Sequence, residues 1–318
     1  GIRDRLRSRG LGDVYKRQFP VNKLNQQTEQ LSPLSSRPTY TETENDLTVK
    51  ANKRTFIFSK KDGQLKGVSV DNRKISFANG PRFIGARRAD RSLDQFYNHD
   101  DEKAKEKDRT YSEFPDAAVF TKLDVKQDGG DLVVTANYKL GNLDKAQWTI
   151  NPSGDLALDY TYNFSGVVDL MGIRFDYPED QVISKRWLGA GPYRVWQNRI
   201  HGTQYDVWEN DYNDPIPGET FTYPEFKGYF GDVSWMNIQT KEGTISLTNE
   251  TPDAYIGVYQ PRDGRDRLLY TLPESGISVL NVIPPVRNKV NSTDLCGPSS
   301  QPKWVNGPQT GRVIFRFM

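Results

Sequence analysis

The sequence predicts an all-β protein built as a large antiparallel two-sheet sandwich, and three observations predict it. From about position 46, apolar and polar residues alternate in short runs, as half-buried strands require. Clusters of Asp, Asn, Gly and Pro separate those runs at roughly ten-residue spacing, where hairpin turns belong. No segment of 12 or more residues beyond position 45 keeps a helical period, and the charged stretch DEKAKEKDRTYSEF (101–114) reads as a solvated loop. About 270 residues of such strands suit a large sandwich better than a small barrel.

The opening segment is set apart. Residues 1–18 follow neither the helical nor the strand period, and DVYKRQ (13–18) reads as the translation of a transposase adapter used in sequencing libraries. The segment is therefore expected to be foreign and disordered. It holds six Lys/Arg and two Asp, a net of +4 against +2 for the whole chain, which leaves −2 for the rest. A near-neutral body with interspersed charges offers no footprint for nucleic acid or anionic lipid. If the adapter reading holds, the true N-terminus lies elsewhere. The compartment then stays open, and a periplasmic or secreted location follows if a signal peptide was lost.

Residues 19–45 are polar, with Pro20, Pro33 and Pro38, and read as an extended linker before a domain at 46–318. Strand, turn and strand follow at 47–81 (turns Lys61-Asp62-Gly63 and Asp71-Asn72), 118–140 (Asp128-Gly129-Gly130) and 146–164 (Pro152-Ser153-Gly154). Shorter strand candidates are SWMNIQT, GTISLTNE, YIGVYQ, ISVLNVI and RVIFRF. No apolar run approaches the roughly 18 residues of a membrane span. One cysteine, Cys296, excludes an internal disulfide, and with no sequence-near His it reads as a bystander.

Chemistry concentrates at 185–240, where Trp187, Trp196, Trp208 and Trp235 mix with glycines, amides and carboxylates. Flat indoles stack on the C–H face of a sugar while amides and carboxylates bond its hydroxyls, so the composition suits a carbohydrate surface. Taken singly, each tryptophan reads first as packing between sheets. Asp206, Glu209, Asp211 and Asp214 lack the spacing of a calcium loop and read as solvated, so no metal or cofactor is expected.

The order of residues here is recognisable. RWLGAGPYRVWQNR resembles the W-x-G-x-G-P-x-E-x-Y-x-D-R signature of the C-terminal domain of family 2 β-galactosidases. Trp187, Gly189, Gly191, Pro192 and Arg199 match, whereas Arg194, Trp196 and Asn198 depart. Residues 51–94 look like the entry of that domain. In TYPEFKGYFGDVSW, Pro224, Gly228, Asp232 and Trp235 fit a later family loop, and Phe226, Lys227 and Ser234 do not. The resemblance spans about 46–318 in the expected order, and its motif residues are expected to be structural.

The resemblance implies a supersandwich related in architecture to galactose mutarotase, accompanied by jelly-roll, immunoglobulin-like and barrel domains upstream in the same polypeptide. It implies a β-galactoside-like carbohydrate as ligand. Retaining hydrolysis would use two glutamates about 5–5.5 Å apart on the barrel, so this chain is expected to hold no catalytic residue and to be inactive alone. The family also places a sugar-stacking tryptophan in a loop near the C-terminus. Trp304, in DLCGPSSQPKWVNG before RVIFRF, matches by position.

Two other functions remain open. An aldose mutarotase-like epimerase needs a His acid and a carboxylate base facing one pocket. His201, near Asp206 and Glu209, is the candidate, while His99 sits in a charged loop. A non-catalytic carbohydrate-binding module is the other.

Overall fold

A computed structural model describes residues 36–88, 111–212, 228–259, 272–285 and 298–318. The adapter-like segment, Pro224, Phe226, Lys227, His99, Asp214 and Cys296 lie outside the described residues. With strands numbered along the chain, one sheet runs β1 (Thr39–Glu42), β2 (Asp46–Ala51), β3 (Arg54–Ser59), β4 (Leu65–Val70), β6 (Ala78–Arg88), β12 (Leu170–Asp176), β18 (Ile277–Val282), β17 (Tyr255–Val258). Short strands β5 (Arg73–Ile75) and β7 (Tyr111–Glu113) add to β4 and β6. The other sheet runs β14 (Gln204–Asp211), β13 (Val182–Gly191), β15 (Trp235–Thr240), β16 (Gly243–Asn249), β19 (Lys303–Phe317), β11 (Leu156–Val168), β10 (Leu143–Ile150), β9 (Asp131–Lys139), β8 (Val119–Asp128).

Pairing between neighbouring strands is antiparallel throughout both sheets. The described residues contain no α-helix, only 3₁₀ turns at Glu179–Gln181 and Pro298–Ser300. This is the two-sheet sandwich the sequence predicts, with one change of boundary. Thr39–Glu42, inside the segment read as linker, form β1 and pair with Leu47–Lys50. All four β1 residues are exposed, so they carry no apolar alternation to read.

The predicted turns sit where the backbone demands them. Asp71 and Asn72 have φ of +49° and +65° between β4 and β5, the two left-handed residues of a type I′ connection. Inward residues then follow the two-residue period: Leu47, Val49 and Ala51 on β2, Leu132, Val134 and Ala136 on β9, Ala146, Trp148 and Ile150 on β10 are all buried.

Aromatic rings fill the space between the sheets. Phe77 stacks on Phe175 at 4.8 Å and meets Phe315 and Phe317 of the opposite sheet at 5.0 and 5.3 Å. Phe58 meets Trp148 at 5.9 Å, and Phe83 meets Tyr162 at 5.5 Å. Such ring pairs contribute about 0.5–1.5 kcal/mol each beyond their burial. Gly311, directly opposite Tyr160, leaves room for that phenol, whose oxygen lies 2.2 Å from where a Cβ would stand.

Polar clasps join the sheets at their margins. Arg54 of β3 donates to the carbonyls of Phe317 and Ser153, each at 2.7 Å. Glu242, in the β15–β16 turn, accepts from Ser76 N–H at 2.8 Å, the Ser76 hydroxyl at 2.6 Å and the Tyr177 hydroxyl at 2.9 Å. Burial alone would raise the Glu242 pKa, but these hydrogen bonds and nearby Lys74 bring it below the ordinary value. A carboxyl lowered in this way stabilises the fold above its unfolded pKa and ceases to do so as pH falls through the folded one. Glu242→Gln is thus expected to be less stable than the native chain at neutral pH, with the gap closing below the ordinary carboxylate value of 4.5. Urea unfolding at stepped pH checks this, and a gap independent of pH contradicts it.

Candidate functional site

The motif residues gather where the chain leaves β13 and wraps from one sheet onto the other. Trp187, fully buried, packs edge-on to Phe230 at 4.9 Å in the main core, and its indole N–H donates to the Ala190 carbonyl at 3.0 Å. Gly189 permits close approach: a Cβ there would lie 3.0 Å from the Gly231 carbonyl oxygen, and the next residue, Ala190, donates to that same oxygen at 2.9 Å. Gly191 faces the Trp208 indole at a distance that leaves no room for a side chain.

After the cis Gly191–Pro192 bond the chain crosses to the far face of the first sheet. Val195 and Tyr229 exchange backbone hydrogen bonds at 2.7 Å both ways, and a Cβ on Gly228 would sit 1.9 Å from the Val195 oxygen. Trp196 meets Tyr229 edge-on at 5.7 Å. Together with Ile84, Ala86, Leu170 and Leu280 they make a second, smaller core. Ile84 alternates with Phe83 of the main core, so this cluster covers the opposite face of the sheet.

Not every motif residue is buried here. Arg199 and Asp232 are exposed, Asp232 with φ of +49°, and Pro192 and Trp235 are half-buried. Trp235 opens β15, between Leu188 and Thr248. Arg194, which departs from the family pattern, is buried with its guanidinium 5.8 Å from the Phe230 ring centre.

Gln197 links this loop to the segment just ahead of the C-terminal strand. Its side-chain amide donates to the carbonyls of Ser299 at 2.9 Å and Gln301 at 2.7 Å, and its backbone N–H donates to Pro284 at 3.1 Å. Trp304 follows at once. It lies on β19 opposite Val167, not in a loop before the last strand, because β19 begins at Lys303. Its indole is 71% exposed. Gly307 and Pro308 are tolerated within the strand because this half of β19 pairs with β11 alone.

His201 lines a cavity of about 270 Å³ beside the motif loop, with Thr203, Asp232, Asp253 and Tyr255. Burial, then the Asp232 and Asp253 carboxylates, push the Tyr255 phenol up. The carboxylates sequence reasoning paired with His201 are placed otherwise: on β14, Asp206 and Glu209 point to opposite faces. Among the described residues, no group of three or more His, Cys, Asp or Glu is placed to hold a metal. No described helix is long and apolar enough to cross a membrane. Gln197, Asp253 and Tyr255 escaped the sequence reading, since nothing local distinguishes them.

The family model of the beta-galactosidase small chain matches residues 50–284, which takes in both motif segments. This chain belongs to the beta-galactosidase small chain family. No curated protein matches this small-chain sequence. Among solved structures, a galactose 1-epimerase from Lactobacillus acidophilus aligns over 89% of this chain and 99% of its own, at 9% identity and a TM-score of 0.48. An aldose epimerase homologue from C. elegans covers 88% and 99%, at 6% and 0.35. A copper-containing benzylamine oxidase from Hansenula polymorpha covers 91% and 62%, at 7% and 0.35. Likenesses at this level give no residue of the small-chain domain a role.

Proposed function

We propose that this chain is a non-catalytic wall of a β-galactosidase sugar pocket, with the hydrolytic carboxylates supplied by catalytic domains outside its sequence. One observation carries the reading: Trp304 is the most exposed aromatic side chain among the described residues, on a strand tethered to the motif loop. An indole in water gains a few kcal/mol from covering its face, and the apolar C–H face of a galactoside is a matching surface. Trp304 moves no proton in this account. It holds the ring so that the glycosidic carbon meets carboxylates set elsewhere, a contribution of orientation. Because Trp304 touches so little of the protein, Trp304→Ala is expected to leave the melting temperature unchanged while weakening galactoside binding about tenfold. Calorimetric titration of the wild type and variant with a β-galactoside checks this. Binding indifferent to the substitution, or release of a chromogenic aglycone by this chain alone, contradicts it.

A second reading, aldose 1-epimerisation, is favoured by the cavity that His201 shares with Asp232 and Asp253. A His acid and a carboxylate base facing one sugar are what ring opening and reclosure require. Proton NMR of freshly dissolved α-galactose separates the readings. The first expects anomerisation at the buffer rate, and acceleration abolished by His201→Ala establishes the second.

A further inference from the structure

β12 carries the structure from the second core, where Leu170 packs, to a different opening at Asp176, about 20 Å along the strand. There a cavity of about 390 Å³ is lined by Tyr177, Tyr259, Asn79, Arg174, Asp176 and Glu274. Its floor is held in an unusual backbone conformation. Tyr259 has φ of +60°, rare for a bulky residue, and is fixed by its N–H to the Gly276 carbonyl at 2.6 Å and its hydroxyl to the Tyr177 carbonyl at 3.0 Å. Gly276 has φ of +51°, and a Cβ there would lie 2.0 Å from the Phe175 oxygen, so no side chain intrudes from that wall.

The polar groups are arranged for a neutral polyol. Tyr177 and Tyr259 are buried, their hydroxyls donating to Glu242 and to the Tyr177 carbonyl, so they form the cavity wall. Around them stand acceptors and donors: Asp176, which takes a hydrogen bond from Asn79 at 3.0 Å and pairs with Arg82, and Arg174, which donates to the Glu274 carbonyl at 2.6 Å. The Glu274 side chain is exposed, and Glu179 adds a further carboxylate to the lining. Sugar hydroxyls donate to carboxylates and accept from amide and guanidinium groups such as these. The excess of carboxylates over Arg174 disfavours an anionic ligand.

We infer that this cavity is a second saccharide site, for a neutral hexose, independent of Trp304. The test follows galactose titration of the full chain by amide NMR. Saturable shifts are expected at the Ser275 and Gly276 amides, with affinity falling about tenfold in Glu274→Ala and in Asn79→Gly, each of which removes a hydrogen-bonding group. Both residues are exposed, and glycine retains the φ of +53° at position 79. Trp304→Ala is expected to leave these shifts intact, and sodium galacturonate to bind more weakly than galactose. Absence of saturable shifts at these amides, indifference to both cavity variants, loss of the shifts in Trp304→Ala, or tighter binding of galacturonate each overturns the site. Failure of the Trp304 reading appears separately, at the Trp304 indole signal.

Discussion

Ring packing between the two sheets is the constraint on which the rest depends. Phe77, Phe175, Phe315 and Phe317 form one continuous contact across the interior, extended by Trp148 and Phe58, and Phe83 and Tyr162 make a further ring pair in the same core. Rings of this size fix the separation of the two sheets and fill the space between them here with apolar surface. Polar clasps stand at the margins, where Arg54 and Glu242 hold one sheet to the other.

The motif residues solve a related problem. β13 closes the main core with Trp187, and the loop leaving it then covers the far face of the first sheet with Trp196, which meets Tyr229. Crossing between the two brings backbone against backbone, and glycine is needed at 189 and 228 because any Cβ would press on a carbonyl. Gln197 completes the arrangement by capturing two carbonyls just ahead of Trp304. In this account the signature serves the exposed indole without touching the sugar itself.

Much of the fold was legible because alternation survives wherever one strand face is wet. β2 to β4, β8 to β11, β15 and β16 announce themselves in this way. β12 does not, since it lies inside the first sheet with Leu170–Ile173 all buried, and unbroken burial erases the two-residue period. β1 fails for the opposite reason, being exposed at all four positions. The candidate site was legible as a list of motif residues but not as a place. Gln197 and the Ser299 and Gln301 carbonyls are about a hundred positions apart, and only pairing across both sheets brings them together.

The central claim is that the motif loop acts on sugar through Trp304, with Gln197 as the link. A double-mutant cycle on β-galactoside affinity tests it most directly, using wild type, Gln197→Ala, Trp304→Ala and the double variant. The account expects Gln197→Ala to weaken binding in the wild-type background and to change nothing once Trp304 is gone. Equal losses in both backgrounds would contradict it, and would place the contribution of Gln197 elsewhere.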